Sequence, residues 1–286
     1  MALLSIADLN QQPEVLEPYI LKAQSLSAMY YQHIAADQNE TYSYAVDIWG
    51  SKGRKQGIHA SEISKCMRQI VYCILGTERQ PPVQGADVNM LMRFRLGTAI
   101  HAMLQNDWHR IAAKSGGQLE FQDEVRVSPK LGGLAALWNI RSSGDGVFTF
   151  LDSSGYPEVR IGLEIKSASP DEFAKLKGPQ SDHLEQTNVY MAALDLPLMW
   201  VLYYNKGNSN ITESYSPWLF KFDANKWNYD LEIRFARCTH MAQEGELPER
   251  TEGMHCRWCS FASSCCPNIL KLKTARTRLS SGMKRS

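Results

Sequence analysis

The chain has 286 residues, 44% of them hydrophobic and 21% charged, with a net charge of +1. That is enough chain to bury a large core, as one elaborated domain or two small ones, and the composition is that of an ordinary soluble globular protein. It excludes a uniformly basic nucleic-acid magnet, and it excludes a spanning helix, since no apolar run approaches the ~18 residues a bilayer needs. The first residues, "MALLSIADLNQQPEVLEPY", lack a basic stretch ahead of an apolar one and soon reach Asp8. A secretory signal is therefore not expected, and a cytoplasmic location is. In a reducing compartment seven cysteines, an odd number, favour metal or redox roles over paired disulfides.

In chain order, residues 14–36 predict one or two helices interrupted near Pro18. "WGSKGRKQG" (49–57) is a loop rich in glycine and lysine. The pattern turns helical over 59–76, with Ser61 or Ser64 as its cap and Gly76 past its end. A loop, "ERQPPVQGAD", leads into a long helix over 89–116. Three strands are predicted next, in "LEFQDEVRV", "LAALWNIRSSGDGVFTFLD" and "VRIGLEIKSAS". A helix over "DHLEQTNVYMAALDL" follows, then strands in "LMWVLYYNK" and "PWLFKFDAN", and a last helix over "KWNYDLEIRFARCTHMAQEGE". Helices, three strands, a helix, two strands and a helix predict an α/β core with a mixed sheet.

Charge is unevenly spread. Residues 1–50 carry six acids against one base, Lys22, whereas residues 267–286 carry six bases and no acid. A basic tail can hold a phosphate backbone by counterion release, and it can equally be a solvated end. The Walker pattern GxxxxGK[ST] is absent, so a coupled ATP motor would be a separate protein.

Candidate chemistry lies in four short stretches. "GLEIKSAS" places Glu164 and Lys166 two residues apart on a strand, hence on one face, with Ile165 turned to the core. Alone, that is the pattern of a half-exposed strand. "SSGDGVFTF" puts Asp145 in a glycine-flanked turn entering a strand, a common turn residue. "RLGTAIHAML" puts His101 on a helix four residues after Gly97, where a lone histidine is ordinarily a packed or surface residue. "HLEQTNVYMAAL" stacks Gln186 and Tyr190 at i, i+4.

Taken in order, Gly97–His101, Gly144–Asp145, Glu164-Ile165-Lys166 and Gln186–Tyr190 resemble the RecB-type branch of the PD-(D/E)XK nucleases. That branch reads G-x-x-x-H, G-x-x-D or G-D, [DE]-x-K, Q-x-x-x-Y. The match spans about 90 residues of core; glycine stands where the family name has proline, and the second acid is Glu. The resemblance implies a restriction-endonuclease-like mixed sheet flanked by helices. It also implies a Mn2+ or Mg2+ site made by His101, Asp145, Glu164 and the backbone carbonyl of Ile165. Hard cations favour such oxygen ligands, and the imidazole suits manganese. By the same analogy Lys166 acts on the phosphate or the attacking water, with Gln186 and Tyr190 as supporting groups.

The cysteines extend the likeness. Cys256, Cys259 and Cys265 form C-x2-C-x5-C, a metal-binding spacing that leaves a fourth ligand open among Cys66, Cys73, Cys238 and Cys266. AddB-type nucleases and CRISPR-associated iron–sulfur exonucleases carry one cysteine ahead of the core and this triplet behind it, and bind a [4Fe-4S] cluster. The resemblance thus selects Cys66, with Cys73 as rival, Cys266 as bystander and zinc as the alternative occupant.

The organisation expected is an N-terminal helical segment (1–57), a helical region bearing the first cluster cysteine (58–96), a nuclease core (97–245), the cysteine cluster (246–268) and a basic tail (269–286). The function expected is a metal-dependent deoxyribonuclease, an exonuclease on single-stranded DNA or duplex ends. Its partners would be DNA and a helicase, recombination or CRISPR-adaptation protein, with no membrane and a possible homo-oligomer. The competing reading is a non-catalytic nucleic-acid-binding or assembly module with a structural metal. A third class, an iron–sulfur redox carrier, gives no role to Asp145, Glu164 and Lys166.

Overall fold

The computed structural model of the chain describes residues 16–36, 56–79, 88–207, 215–251, 253, 256 and 259–262. Most of the loop at 49–57, the basic tail, Cys265 and Cys266 lie outside the described residues. Helix α1 (Glu17–Ala36) is continuous. The expected break at Pro18 does not occur, because proline in the first turn has no intrahelical N–H to lose. After a 3-10 turn at Ala60–Glu62 comes α2 (Met67–Leu75), whose N-cap is Cys66 rather than a serine, and whose C-cap Gly76 has φ 70°. Helix α3 (Val88–Lys114) follows.

Strand β1 (Leu119–Val127) matches its expected run. The next segment does not begin as a strand. "GLAAL" forms a short helix, α4 (Gly133–Leu137), and β2 starts only at Ser142, running to Leu151. The apolar residues Leu134 and Ala135 pack into the core from a helix, which a short apolar run cannot distinguish from a strand. Then come β3 (Pro157–Ala168), α5 (Pro170–Phe173), α6 (Ser181–Leu194), β4 (Leu198–Asn205) and β5 (Tyr215–Lys221). The last helical stretch passes through a turn at Ala224–Lys226 and a π-helical turn at Trp227–Leu231 into α7 (Glu232–Glu244).

Among the described residues five strands form one sheet in the order β1-β2-β3-β4-β5. Neighbours are antiparallel except β3 and β4, which run parallel. A parallel pair needs a crossover, supplied here by α5 and α6. Helices α1 and α3 cover one face, where Trp108 is fully buried against Tyr30, Phe148 and Trp200 at ring separations of 5.4, 4.7 and 5.6 Å. Helices α2, α6 and α7 cover the other, around Val147, Tyr190, Met199 and Phe235. The expected α/β architecture with a mixed sheet flanked by helices is therefore present. No helix among the described residues is long and apolar enough to cross a membrane.

Candidate active site

Strand β3 places the central pair. Ile165 is buried with the α1–α3 core, so period-2 geometry turns Glu164 and Lys166 to the opposite face, toward α6. They are not on a solvated face. Glu164 is only 2% exposed, and its Oε1 accepts from Lys166 Nζ at 2.5 Å and from Gln186 Nε2 at 2.8 Å. Lys166 Nζ also donates to Gln186 Oε1 at 3.1 Å. One turn along α6, the Tyr190 hydroxyl accepts from Gln186 Nε2 at 3.4 Å and donates to the Ser143 carbonyl at 2.6 Å. The expected pair Gln186 and Tyr190 thus clamps the head of β2 to the Glu164–Lys166 pair.

Asp145 enters from β2. Its Oδ2 accepts the backbone N–H of Ile165 at 2.6 Å, and its Oδ1 lies 3.3 Å from Nδ1 of His101 on α3. Helix α3 passes close to the end of β3 here: a Cβ built on Gly97 would lie 3.5 Å from Ser167 Oγ. Four residues after His101, Gln105 donates to the Asp145 backbone carbonyl at 2.9 Å. Every sequence-predicted residue of this group is accordingly in one place, where β2, β3, α3 and α6 meet. The glycine that close packing demands is Gly146 and not Gly144. A Cβ on Gly146 would meet the Phe121 ring at 2.5 Å, whereas one on Gly144 would find nothing nearer than 4.0 Å.

Burial sets the charges apart. It pushes the Glu164 carboxyl up to about 7; Lys166 opposes that rise and Asp145 adds to it. Burial would also raise Asp145, but His101, Lys166 and the Ile165 N–H together hold it below the usual range. Lys166 and His101 are likewise opposed by burial, yet the two carboxylates keep the pKa of each above its ordinary value. Two neighbouring carboxyls whose pKa values are pushed in opposite directions make this a candidate functional site.

As placed, the side chains do not form a ready metal cage: among the described residues no group of three or more His, Cys, Asp or Glu could hold an ion. Lys166 and His101 hold the carboxylates instead. The donor set still fits a hard divalent cation. Glu164 Oε2 is buried with no hydrogen-bond partner, Asp145 is ionised, and an imidazole stands beside it. An orphaned carboxylate oxygen in such a place is a costly feature unless something cationic meets it.

Sequence reasoning missed four participants. Glu124 stands across from Asp145 on β1 with φ 45°, and its carboxylate takes bonds from Ser143 Oγ at 2.7 Å and Gln105 Nε2 at 3.4 Å. Gln105 itself was foreshadowed by its i+4 spacing from His101. His183 and Tyr203 hydrogen-bond each other beside Lys166, Tyr203 lying directly across from it in the β3–β4 register. No local signal joins those two, because their contact exists only once the crossover forms.

The five described cysteines are free thiols. Cys73, the rival for the fourth ligand, is tied into a polar knot: its Sγ donates to Glu62 Oε2 at 3.1 Å and accepts from Arg79 at 3.1 Å, while Arg79 forks onto Glu62. Cys238 is fully buried and its thiol is pushed up to about 11 by burial, as expected of an apolar filler. Cys66 opens α2, and the segment carrying Cys256 and Cys259 packs on that helix. Phe261 lies 5.3 Å from the Tyr72 ring and 5.3 Å from the Arg79 guanidinium, and Arg68 donates to the Pro248 carbonyl at 2.6 Å. Cys256 and Cys259 sit in successive turns, the Cys259 N–H donating to the Cys256 carbonyl at 3.4 Å.

No protein-family model and no curated protein matches the chain. Among solved structures it is similar to the alkaline exonuclease LHK-Exo from Laribacter hongkongensis, with TM-score 0.47, 14% identity, and 67% of this chain and 90% of that chain covered. The crystal structure of LHK-Exo in complex with dAMP gives TM-score 0.46 and 13% identity, over 66% of this chain and 89% of that one. The crystal structure of SSO0001 gives TM-score 0.44 and 13% identity, over 86% and 98%. At these values the geometry of the site itself remains the ground for its function.

Proposed function

We propose that the chain is a divalent-metal-dependent DNA nuclease of restriction-endonuclease-like fold, hydrolysing phosphodiesters as an exonuclease on single-stranded DNA or duplex ends. The observation that carries this is the buried, partnerless Oε2 of Glu164, whose other oxygen is held by Lys166 and which shares its site with an ionised Asp145. His101, Asp145, Glu164 and the Ile165 carbonyl would hold Mn2+ or Mg2+. When bound, the ion supplies Lewis-acid stabilisation of the phosphate and a more acidic water.

The rest is the work of the chain. Ile165 N–H fixes one oxygen of the Asp145 carboxylate and leaves the other, Oδ1, facing His101. Lys166 is a charged donor anchored by Glu164 and Gln186, and it stabilises negative charge growing on a phosphate oxygen. Gln186 holds Lys166 and Glu164 in register, and Tyr190 fixes the α6 backbone to β2. Glu164, with its raised pKa, would have to be deprotonated to hold a cation.

We further propose that Cys66, Cys256, Cys259 and Cys265 hold a [4Fe-4S] cluster that ties α2 to the C-terminal segment. What supports this is the cysteine spacing and the packing of that segment on α2 just beyond Cys66. As placed, Cys66, Cys256 and Cys259 do not form a group that could hold an ion, and Cys256 Sγ donates to the Thr251 carbonyl at 3.7 Å. Four thiolates also suit zinc, which colour and metal content distinguish.

The test of the nuclease reading is digestion of end-labelled linear DNA, single- and double-stranded, with Mn2+, Mg2+ or EDTA. Metal-dependent shortening that disappears in Asp145→Ala and Lys166→Ala supports it. DNA left whole by folded wild-type protein in every metal returns the chain to the class of binding modules.

A further inference from the structure

We propose that His183 is a further substrate-contacting residue of this site, donating its Nε2–H to a phosphate oxygen of the DNA strand beside Lys166, with Tyr203 holding the ring in that tautomer. The proposal rests on the nuclease reading above.

The hydrogen-bond chain accommodates that tautomer. The Gln180 backbone N–H can only donate, and it donates to the Tyr203 hydroxyl oxygen at 3.1 Å. The hydroxyl keeps its own proton to donate, and His183 Nδ1 is its hydrogen-bond partner. A neutral imidazole that accepts at Nδ1 carries its proton on Nε2. Tyr203 is 2% exposed, and burial raises its pKa, so it remains a hydroxyl and a donor.

The ring is also neutral for a reason. Burial, then the Lys166 charge, push His183 down to about 4, with Asp182 only partly opposing. A second cation next to Lys166 would repel it, while a neutral N–H donor does not. About a fifth of the His183 side chain is still exposed. Nε2 lies 4.0 Å from the exposed Asp182 carboxylate, beyond hydrogen-bond reach, so the N–H is left for an incoming acceptor. His183 sits three residues before Gln186 on α6 and therefore shares its face, the face that meets Lys166.

A purely structural role has its own signature. Gln180 is the N-cap of α6 and has no side-chain cap, so Tyr203 and His183 would merely steady the start of that helix. Loss of either would then lower stability and leave DNA affinity alone.

The experiment uses the full chain as wild type, His183→Ala, His183→Gln and Tyr203→Phe. Binding of a fluorescein-labelled single-stranded oligonucleotide is measured without divalent metal, cleavage of the same strand is measured with Mn2+, and melting temperatures are recorded. A donor hydrogen bond to a charged oxygen predicts oligonucleotide binding and KM weakened roughly tenfold in His183→Ala. The kcat should change much less, and His183→Gln, which keeps an N–H near the Nε2 position, should recover most of the loss. Tyr203→Phe should weaken binding less, roughly threefold, by freeing the tautomer. Binding within twofold of wild type in His183→Ala overturns the proposal, as does equal weakening in His183→Ala and His183→Gln. Should His183→Ala not fold, weakened binding in Tyr203→Phe with near-normal binding in His183→Gln supports it, and the reverse order overturns it. Wild type that binds DNA through His183 but never cuts retains the proposal and removes the nuclease reading. Wild type that neither binds nor cuts removes both.

Discussion

The Asp145 carboxylate accepts the backbone N–H of Ile165 at 2.6 Å, a contact that crosses from β2 to β3 just past their last paired residues, Gly146 and Leu163. One oxygen therefore does the structural work while the other faces His101. Asp145→Asn keeps an oxygen to accept that N–H but removes the charge. It should melt within a few degrees of wild type and lose DNA cleavage by on the order of 100- to 1,000-fold. Asp145→Ala loses both, and should be less stable as well as inactive, as read by thermal melts and turnover.

The raised Glu164 predicts how pH and metal interact. A carboxyl whose pKa is higher folded than unfolded stabilises the fold below its ordinary value of 4.5, and that contribution is lost as pH rises through about 7. His101, also raised, has the same sign, its contribution fading as pH climbs above 6.5. Mn2+ competes with both protons, so its affinity should rise from pH 6 to pH 8. The increase in melting temperature on adding Mn2+ should be larger at pH 8 than at pH 6. An increase that is the same at both values would mean that neither group meets the metal.

Gly146, beside Asp145, abuts the Phe121 ring. Gly146→Ala should cost about 1–3 kcal/mol in urea denaturation through overpacking, and reduce cleavage by displacing Asp145. Gly144→Ala, whose Cβ would make only ordinary contacts at 4.0 Å, should be near neutral in both assays.

The cysteine proposal predicts brown protein after anaerobic purification, with broad absorption near ~400 nm. Cys66→Ser and Cys256→Ser should bleach it, while Cys73→Ser should not. Colourless protein with stoichiometric zinc would replace the cluster by zinc and leave the nuclease reading intact.

Most of this site was readable in the sequence because its parts are local patterns. The alternation around Ile165 put Glu164 and Lys166 on one face, and the i, i+4 spacing of Gln186 and Tyr190 put them on another. Their meeting at 2.8 and 3.1 Å was implied only by the family order. Other features were hidden because they depend on the assembled sheet. The burial of Glu164 arises from α6 lying over β3, and Tyr203 reaches His183 only through the parallel register of β3 and β4. The short helix α4 was misread as strand because five residues are too few to show a period. Cys66 emerged as a helix cap where a serine was expected, because the chain spends Ala60–Glu62 in a separate turn.

The central claim is that Glu164, Lys166 and Asp145 cut DNA with a divalent cation. Single-turnover digestion of linear single-stranded DNA by wild type and Lys166→Met, each with Mn2+ and then with EDTA, tests it most directly. The account predicts Mn2+-dependent degradation by wild type, none in EDTA, and a loss of about 100-fold or more in a Lys166→Met protein that still melts cooperatively. Equal rates in the two proteins, or cleavage that survives EDTA, would contradict it.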